Sequence, residues 1–162
     1  MIRKAIPEDA AAVAEIYNYY VVNTVITFET NPVPVAEMRD RILSISENHP
    51  YLVCEEAGRI SGYCYASPWK RREAYRHTVE STVYAAPSHQ GRGLGARLMK
   101  ALLEELKKTP VHAVIACIAI PNPQSVKLHE RLGFRQVSEY REVGRKFDRW
   151  IDVGDWLFLL PA

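Results

Sequence analysis

The chain has only three cysteines, Cys54, Cys64 and Cys117, and no C-x-x-C or H-x-x-x-H spacing that would gather metal ligands. Its histidines, His49, His77, His89, His112 and His129, are scattered along the sequence. No metal is expected, and each cysteine, set among apolar neighbours, is expected as a buried reduced thiol. Long apolar runs are missing too. The longest stretch without Lys, Arg, Asp or Glu, Thr109 to Val126, is broken by Pro110, Pro121 and Pro123, which reads as a buried strand plus a loop and not as a membrane span. The start, Met1-Ile2-Arg3-Lys4-Ala5, meets Pro7-Glu8-Asp9 before any apolar run develops, so a secretory leader is not expected and the cytoplasm is. Charge of one sign is also lacking: 21 Lys and Arg against 19 Asp and Glu leave a net +2, too little to imply nucleic acid as a partner.

What is present suits one soluble domain. Hydrophobic residues make up 48% of the 162 residues and charged residues 25%, which excludes a disordered chain. There is no internal repeat, low-complexity stretch or long linker, so residues 1–162 are read as a single domain. Ile2 to Ala5 reads as a strand, and Pro7-Glu8-Asp9 starts a helix with Val13, Ile16, Tyr17 and Tyr20 at helical spacing. A loop from Asn23 to Pro34 contains Phe28, and a second helix covers Val35 to Glu47. Tyr51 to Glu56 and Arg59 to Ala66 form a hairpin through Ala57-Gly58. The basic segment Trp69-Lys70-Arg71-Arg72-Glu73-Ala74-Tyr75-Arg76 precedes a strand over Thr78 to Tyr84. Helices follow up to about Lys108 and over Asn122 to Leu132, on either side of an apolar strand, Val111 to Ile120, expected to be covered on both faces. Phe134 to Glu142 and Trp150 to Leu160 close the pattern. The order predicts an α/β (α+β) domain with a mixed, mostly antiparallel sheet flanked by helices.

The strongest local signal is the turn between strand and helix, Gln90-Gly91-Arg92-Gly93-Leu94-Gly95-Ala96. Glycines let backbone approach a ligand, and the helix that follows aims its unpaired N–H groups at the same spot, which suits a phosphate. A nucleoside triphosphate loop needs a lysine and a Ser or Thr after the last glycine, whereas Ala96-Arg97 stand here. A dinucleotide fingerprint can be fitted through Gly91, Gly93 and Ala96, but no acid follows at the end of the next strand, where Pro121-Asn122 stand.

The spacing Gln90-x-x-Gly93-x-Gly95 resembles the pyrophosphate loop of the GCN5-related N-acetyltransferase (GNAT) superfamily. Asn122 to Phe134, with its Leu132-Gly133-Phe134 ending, resembles that superfamily's later motif. Pro68-Trp69-Lys70, Tyr75, Glu80 to Tyr84 and Gly144-x-Lys146-Phe147-x-x-Trp150 look like the phosphinothricin and methionine sulfoximine N-acetyltransferase subfamily. The resemblance covers essentially the whole chain.

It implies an acetyl-CoA-dependent N-acetyltransferase, commonly a homodimer, that acylates the α-amine of a small amino-acid analogue by direct attack in a ternary complex. By resemblance, backbone atoms of Val83, Tyr84 and Ala85 hold pantetheine, those of Gly91, Arg92, Gly93, Leu94, Gly95 and Ala96 hold the pyrophosphate, and Asn122 contacts the pantetheine arm. Glu80 is the candidate base. It is the only charge in its strand, where a carboxylate is expensive without a purpose or a partner, and a paired arginine is the plain alternative. His129 is the candidate acid for the coenzyme thiolate; Tyr84 or water are the alternatives. Lys70, Arg71 and Arg72 are candidates for the acceptor's anionic groups, and Phe28 for a wall of its pocket. A protein N-terminus or a polyamine is a rival acceptor, and a non-catalytic acetyl-CoA-binding module a rival role.

Overall fold

A computed structural model describes residues 1–161. Seven strands form one sheet in the order β1-β2-β3-β4-β5-β7-β6: β1 (Ile2–Lys4), β2 (Tyr51–Glu56), β3 (Arg59–Pro68), β4 (Thr78–Ala85), β5 (Ala113–Ile120), β6 (Arg135–Lys146) and β7 (Arg149–Leu159). The helices are α1 (Ala10–Asn23), α2 (Val35–Ser46), α3 (Leu94–Leu106) and α4 (Pro123–Arg131). Every strand pair is antiparallel except β4 with β5.

The expected element order therefore holds. The departures lie at the ends. The first helix begins after a single turn over Pro7–Asp9, and β6 runs on to Lys146, past the expected stop at Glu142. Its extra residues are absorbed by an irregularity between Tyr140 and Gly144, where Glu142 takes a φ of 55° and donates its N–H to Asp152 Oδ1 at 2.8 Å.

Two cores sandwich the sheet. On one face, Leu94, Leu98, Leu102 and Leu106 recur at four-residue spacing along α3 and bury themselves against β2 to β5. On the other, Val13, Tyr17, Tyr20 and Val21 of α1 and Met38 and Ile42 of α2 pack on Tyr51, Val53 and Tyr63. The alternation of a strand sends Val79 and Val83 of β4 toward α3, and so sends Glu80, Thr82 and Tyr84 toward α1.

Coverage of β5 differs from the expectation. Val114, Ala116 and Ile118 are buried under α3, but Cys117 on the opposite face is exposed. The main packing of α1 and α2 is on β2, β3 and β4, and a cavity opens over the neighbouring part of that face.

Candidate functional site

The ladder between β4 and β5 is short. It pairs Thr78, Val79 and Glu80 with Ala113, Val114 and Ile115 and then ends. Strand β4 nevertheless stays paired to β3 as far as Ala85, and β5 to β7 as far as Ile120. The two half-sheets part just after Glu80, which leaves that edge of β4 without a neighbouring strand. A cavity of about 290 Å³ occupies the gap, lined among others by Glu80, Thr82, Tyr84, Cys117, Asn122 and His129.

Glu80 is half-buried on the α1 side. Burial, with a smaller contribution from the negative charge of Asp155, pushes its carboxyl above the usual range; no hydrogen bond or ion pair holds it down. The arginine partner that would have made it a structural residue is absent among the described residues. Asp155 was not anticipated from sequence. Like Glu80 it is a carboxylate in an otherwise apolar stretch of strand, and it accepts the Ser138 hydroxyl at 2.7 Å.

Between them lies Cys117, opposite Asp155 in the β5–β7 ladder. It corrects the expectation of three buried thiols: Cys54 and Cys64 are buried, whereas Cys117 opens on the cavity. Partial burial and the two nearby carboxylates push its thiol up to about 12. It stays protonated at neutral pH and is a poor nucleophile.

The Asn122-to-Phe134 motif is a device for placing one imidazole. Asn122 caps α4 by accepting the Ser125 N–H at 3.2 Å, with Pro123 in the first turn. At the other end Gly133 takes a φ of 97°, and its N–H reaches Glu130 O while that of Phe134 reaches His129 O. These two bonds close the helix as a Schellman motif. The Phe134 ring then stands edge-on against His129, with centroids 5.1 Å apart. His129 is 3% exposed and its Nδ1 lies 2.8 Å from Ser125 O. A carbonyl only accepts, so Nδ1 carries the hydrogen and Nε2 presents a lone pair. Burial lowers the pKa of the ring, which keeps it neutral.

The glycine-rich turn precedes α3 with Gly91 and Gly93 at φ 73° and 74°, a backbone region that other residues enter only with strain. The first helical bond is from Arg97 N–H to Gly93 O, so the amides of Leu94, Gly95 and Ala96 are left unpaired at the positive end of the helix. Gly91, Arg92 and Gly93 are exposed, while the Leu94 side chain is buried in the core. Gln90 does not point to a ligand site: its Nε2 donates to the Tyr20 hydroxyl.

Phe28 lines the cavity together with Ile26 and Thr27. Their loop is tied to α1 and α2. Asn18 exchanges two bonds with the backbone of Val33, Tyr17 joins its hydroxyl to Thr27 and Glu29, and Arg41 grips Glu29 with both ends of its fork. Sequence patterning did not find Tyr17, Thr27 or Thr82. The period-two alternation from Glu80 alone could have found Thr82.

Lys70, Arg71 and Arg72 do not line the cavity. All three are exposed on the segment that joins β3 to β4, and the Lys70 ammonium lies 4.1 Å above the Trp69 ring. That segment ends at His77, three residues before Glu80.

The Acetyltransferase (GNAT) domain model matches residues 2–154. A phosphinothricin N-acetyltransferase of Streptomyces viridochromogenes is 42% identical over 99% of this chain and 89% of its own. An L-methionine sulfoximine/L-methionine sulfone acetyltransferase of Salmonella typhimurium is 37% identical over 94% of this chain and 90% of its own. Among solved structures, a GNAT superfamily phosphinothricin acetyltransferase of Sinorhizobium meliloti in complex with AcCoA superposes with a TM-score of 0.95 at 35% identity, covering 99% of this chain and 88% of that one.

Proposed function

The chain belongs to the GNAT acetyltransferase family and is an acetyl-CoA-dependent N-acetyltransferase, and we propose that its acceptor is the α-amine of a small amino-acid analogue of the phosphinothricin or methionine sulfoximine kind. The observation that carries the reading is Glu80: a half-buried carboxylate without a cation, in a cavity at the point where β4 and β5 part.

The residues present suit acetyl-CoA. Beyond Glu80 that edge of β4 pairs with no strand, and Val83 and the N–H of Ala85 offer main-chain groups to a pantetheine arm there; the main-chain groups of Tyr84 turn to β3 and the Ala85 carbonyl takes the Tyr20 hydroxyl. Open backbone at Gly91, Arg92 and Gly93 and the free amides of Leu94, Gly95 and Ala96 suit a diphosphate. Asn122 spends its carbonyl oxygen on the helix cap and keeps Nδ2 for the arm. Bound there, acetyl-CoA supplies the activated acyl group.

The chain's own residues then have three tasks. Glu80 accepts the proton that the α-ammonium must lose, and its raised pKa makes it a better base than an exposed carboxylate. The donors along β4 orient the thioester carbonyl. Tyr84, a phenol that lines the cavity, returns a proton to the departing sulfur. His129 is neutral with its Nδ1 hydrogen committed, so Nε2 serves as an acceptor that orients the thiol end and not as the acid. Cys117 is held as a thiol beside two carboxylates, which supports direct attack by the amine over a route through the enzyme's own sulfur.

Lys70, Arg71 and Arg72 are proposed to hold the acceptor's anionic groups from the segment above Glu80, and Phe28 to wall its side chain. The three cysteines are free thiols, which supports a reducing compartment, the cytoplasm. A second copy of the chain is proposed to pair along β6. This strand is the outer edge of the sheet, and Val137, Tyr140, Val143, Phe147 and Trp150 stand exposed on it and its hairpin. Sedimentation as a monomer at micromolar concentration would exclude that pairing.

The test of the acceptor is a thiol-release assay with acetyl-CoA across methionine sulfoximine, phosphinothricin, methionine sulfone and a polyamine. Turnover with the first three and little with the polyamine is expected; the reverse order would overturn the reading.

A further inference from the structure

The motif Gly144-x-Lys146 has no part in the chemistry described above, and neither residue lines the cavity. Gly144 faces Ile151 across the β6–β7 ladder. The space its side chain would take is filled by Phe28: a Cβ at Gly144 would lie 2.4 Å from Phe28 Cε2 and 2.5 Å from Cζ. Carbon atoms in contact sit about 3.5–4.0 Å apart, so any side chain at this position displaces the ring by roughly 1 Å. Phe28 itself is 42% exposed and lines the cavity.

Two residues further on, Lys146 is 3% exposed. Its ammonium makes no ion pair among the described residues, and its one hydrogen bond, at 2.8 Å, goes to the carbonyl of Thr27, the residue before Phe28. The Glu29 carboxylate acts on this ammonium from beyond ion-pair distance and the Phe147 ring lies 5.2 Å from it, so the Thr27 carbonyl is its one direct polar partner. Here both β6 residues act on the same two-residue stretch of a loop more than a hundred positions away, one by leaving space and one by a hydrogen bond.

We propose that Gly144 and Lys146 are positioning residues for the acceptor: they seat Thr27 and Phe28 from behind, so that β6 sets the depth of the acceptor pocket and the size of side chain it accepts. Phe28 touches the acceptor; Gly144 and Lys146 act through it. The inference rests on the acceptor reading above only for the substrates used to measure it.

Two measurements test it. Kinetics with both substrates varied compare the wild type with Gly144→Ala, Lys146→Met, Phe28→Ala and the double variant Phe28→Ala/Gly144→Ala. Gly144→Ala is expected to raise the KM for methionine sulfoximine by about 10- to 10²-fold, in line with the effect of displacements of this size, and to leave that for acetyl-CoA within about twofold. In the Phe28→Ala background the same change is expected to add nothing, because the clash has gone. Equal rises in both KM values, or an additive effect in the double variant, would overturn the proposal.

Hydrogen exchange of the segment over residues 24–34 needs no acceptor. Faster exchange there in both Gly144→Ala and Lys146→Met is expected, and unchanged exchange in both would overturn the lock whatever the substrate. A wild type that turns over no amino-acid analogue but shows these exchange changes would refute the acceptor reading and leave the lock standing.

Discussion

Gln90 donates its side-chain amide to the hydroxyl of Tyr20 at 2.8 Å, and the same hydroxyl donates to the carbonyl of Ala85 at 2.5 Å. One phenol of α1 thus ties the glycine-rich turn to the last residue of β4. These are the two segments proposed to hold the diphosphate and the pantetheine arm, so their relative placement is a property of α1.

Tyr20→Phe removes both bonds and keeps the ring, which packs on Tyr84 with centroids 5.0 Å apart. Its acetyl-CoA dissociation constant should rise by about tenfold, the equivalent of about 1.4 kcal/mol, with little change in the KM for the acceptor. Calorimetric titration checks this. An unchanged affinity would mean that the turn holds its shape without the phenol.

Gly93→Val should weaken acetyl-CoA binding, but not by crowding a neighbour. Nothing lies within 4 Å of a Cβ built there. The strain comes from the backbone, whose φ of 74° is unfavourable for a branched side chain. Gly93→Asn, which tolerates that region better, should therefore keep more of the affinity than Gly93→Val. Equal losses in the two variants would point to sterics instead.

The donor of the thiolate's proton can be separated by two substitutions. Tyr84→Phe should lower kcat by about 10²-fold or more, the lower end for loss of an acid or base, with acetyl-CoA affinity nearly kept. His129→Gln should retain kcat within about tenfold, because the wild-type imidazole presents a lone pair and not a proton. The opposite ranking in single-turnover measurements would restore histidine as the acid.

Much of this arrangement could be read before folding was known. The carboxylate alone in a strand, the glycines before a helix and the Asn-to-Phe segment each carry their signal within about a dozen residues, and the structure realises each as a local device. What sequence did not show depends on register between distant strands. Cys117 looks like a core residue in the apolar run around it; only the parting of β4 from β5 leaves it open. Asp155 meets the site because β7 inserts between β5 and β6. Phe28 is a candidate from sequence, yet the Gly144 backbone that its ring packs against lies on β6, and no local pattern links the two. Gln90 belongs to the right motif but serves it through Tyr20.

Glu80 also predicts a conflict between stability and function. Its pKa is higher in the folded protein than the usual value of about 4.3 for an unfolded chain. The folded state therefore holds this proton more tightly, and the stabilisation is fully present below the unfolded value and lost as pH rises through the folded one. Glu80→Gln should melt at a higher temperature than the wild type at pH 7, and the gap should close below about pH 4. Thermal scans across that range check it; a gap that widens on acidification would mean that the carboxylate is held charged by a partner.

Removal of the acceptor's proton by Glu80, at the gap between β4 and β5, is the proposed step on which catalysis here depends. It is tested most directly by the pH dependence of kcat/KM for methionine sulfoximine in the wild type and in Glu80→Gln. The wild type should show a rise with pH set by a carboxylate titrating above the usual range, and the variant should lose that rise together with about 10²- to 10⁴-fold in kcat. A Glu80→Gln enzyme with the wild-type rate and the wild-type profile would contradict the account.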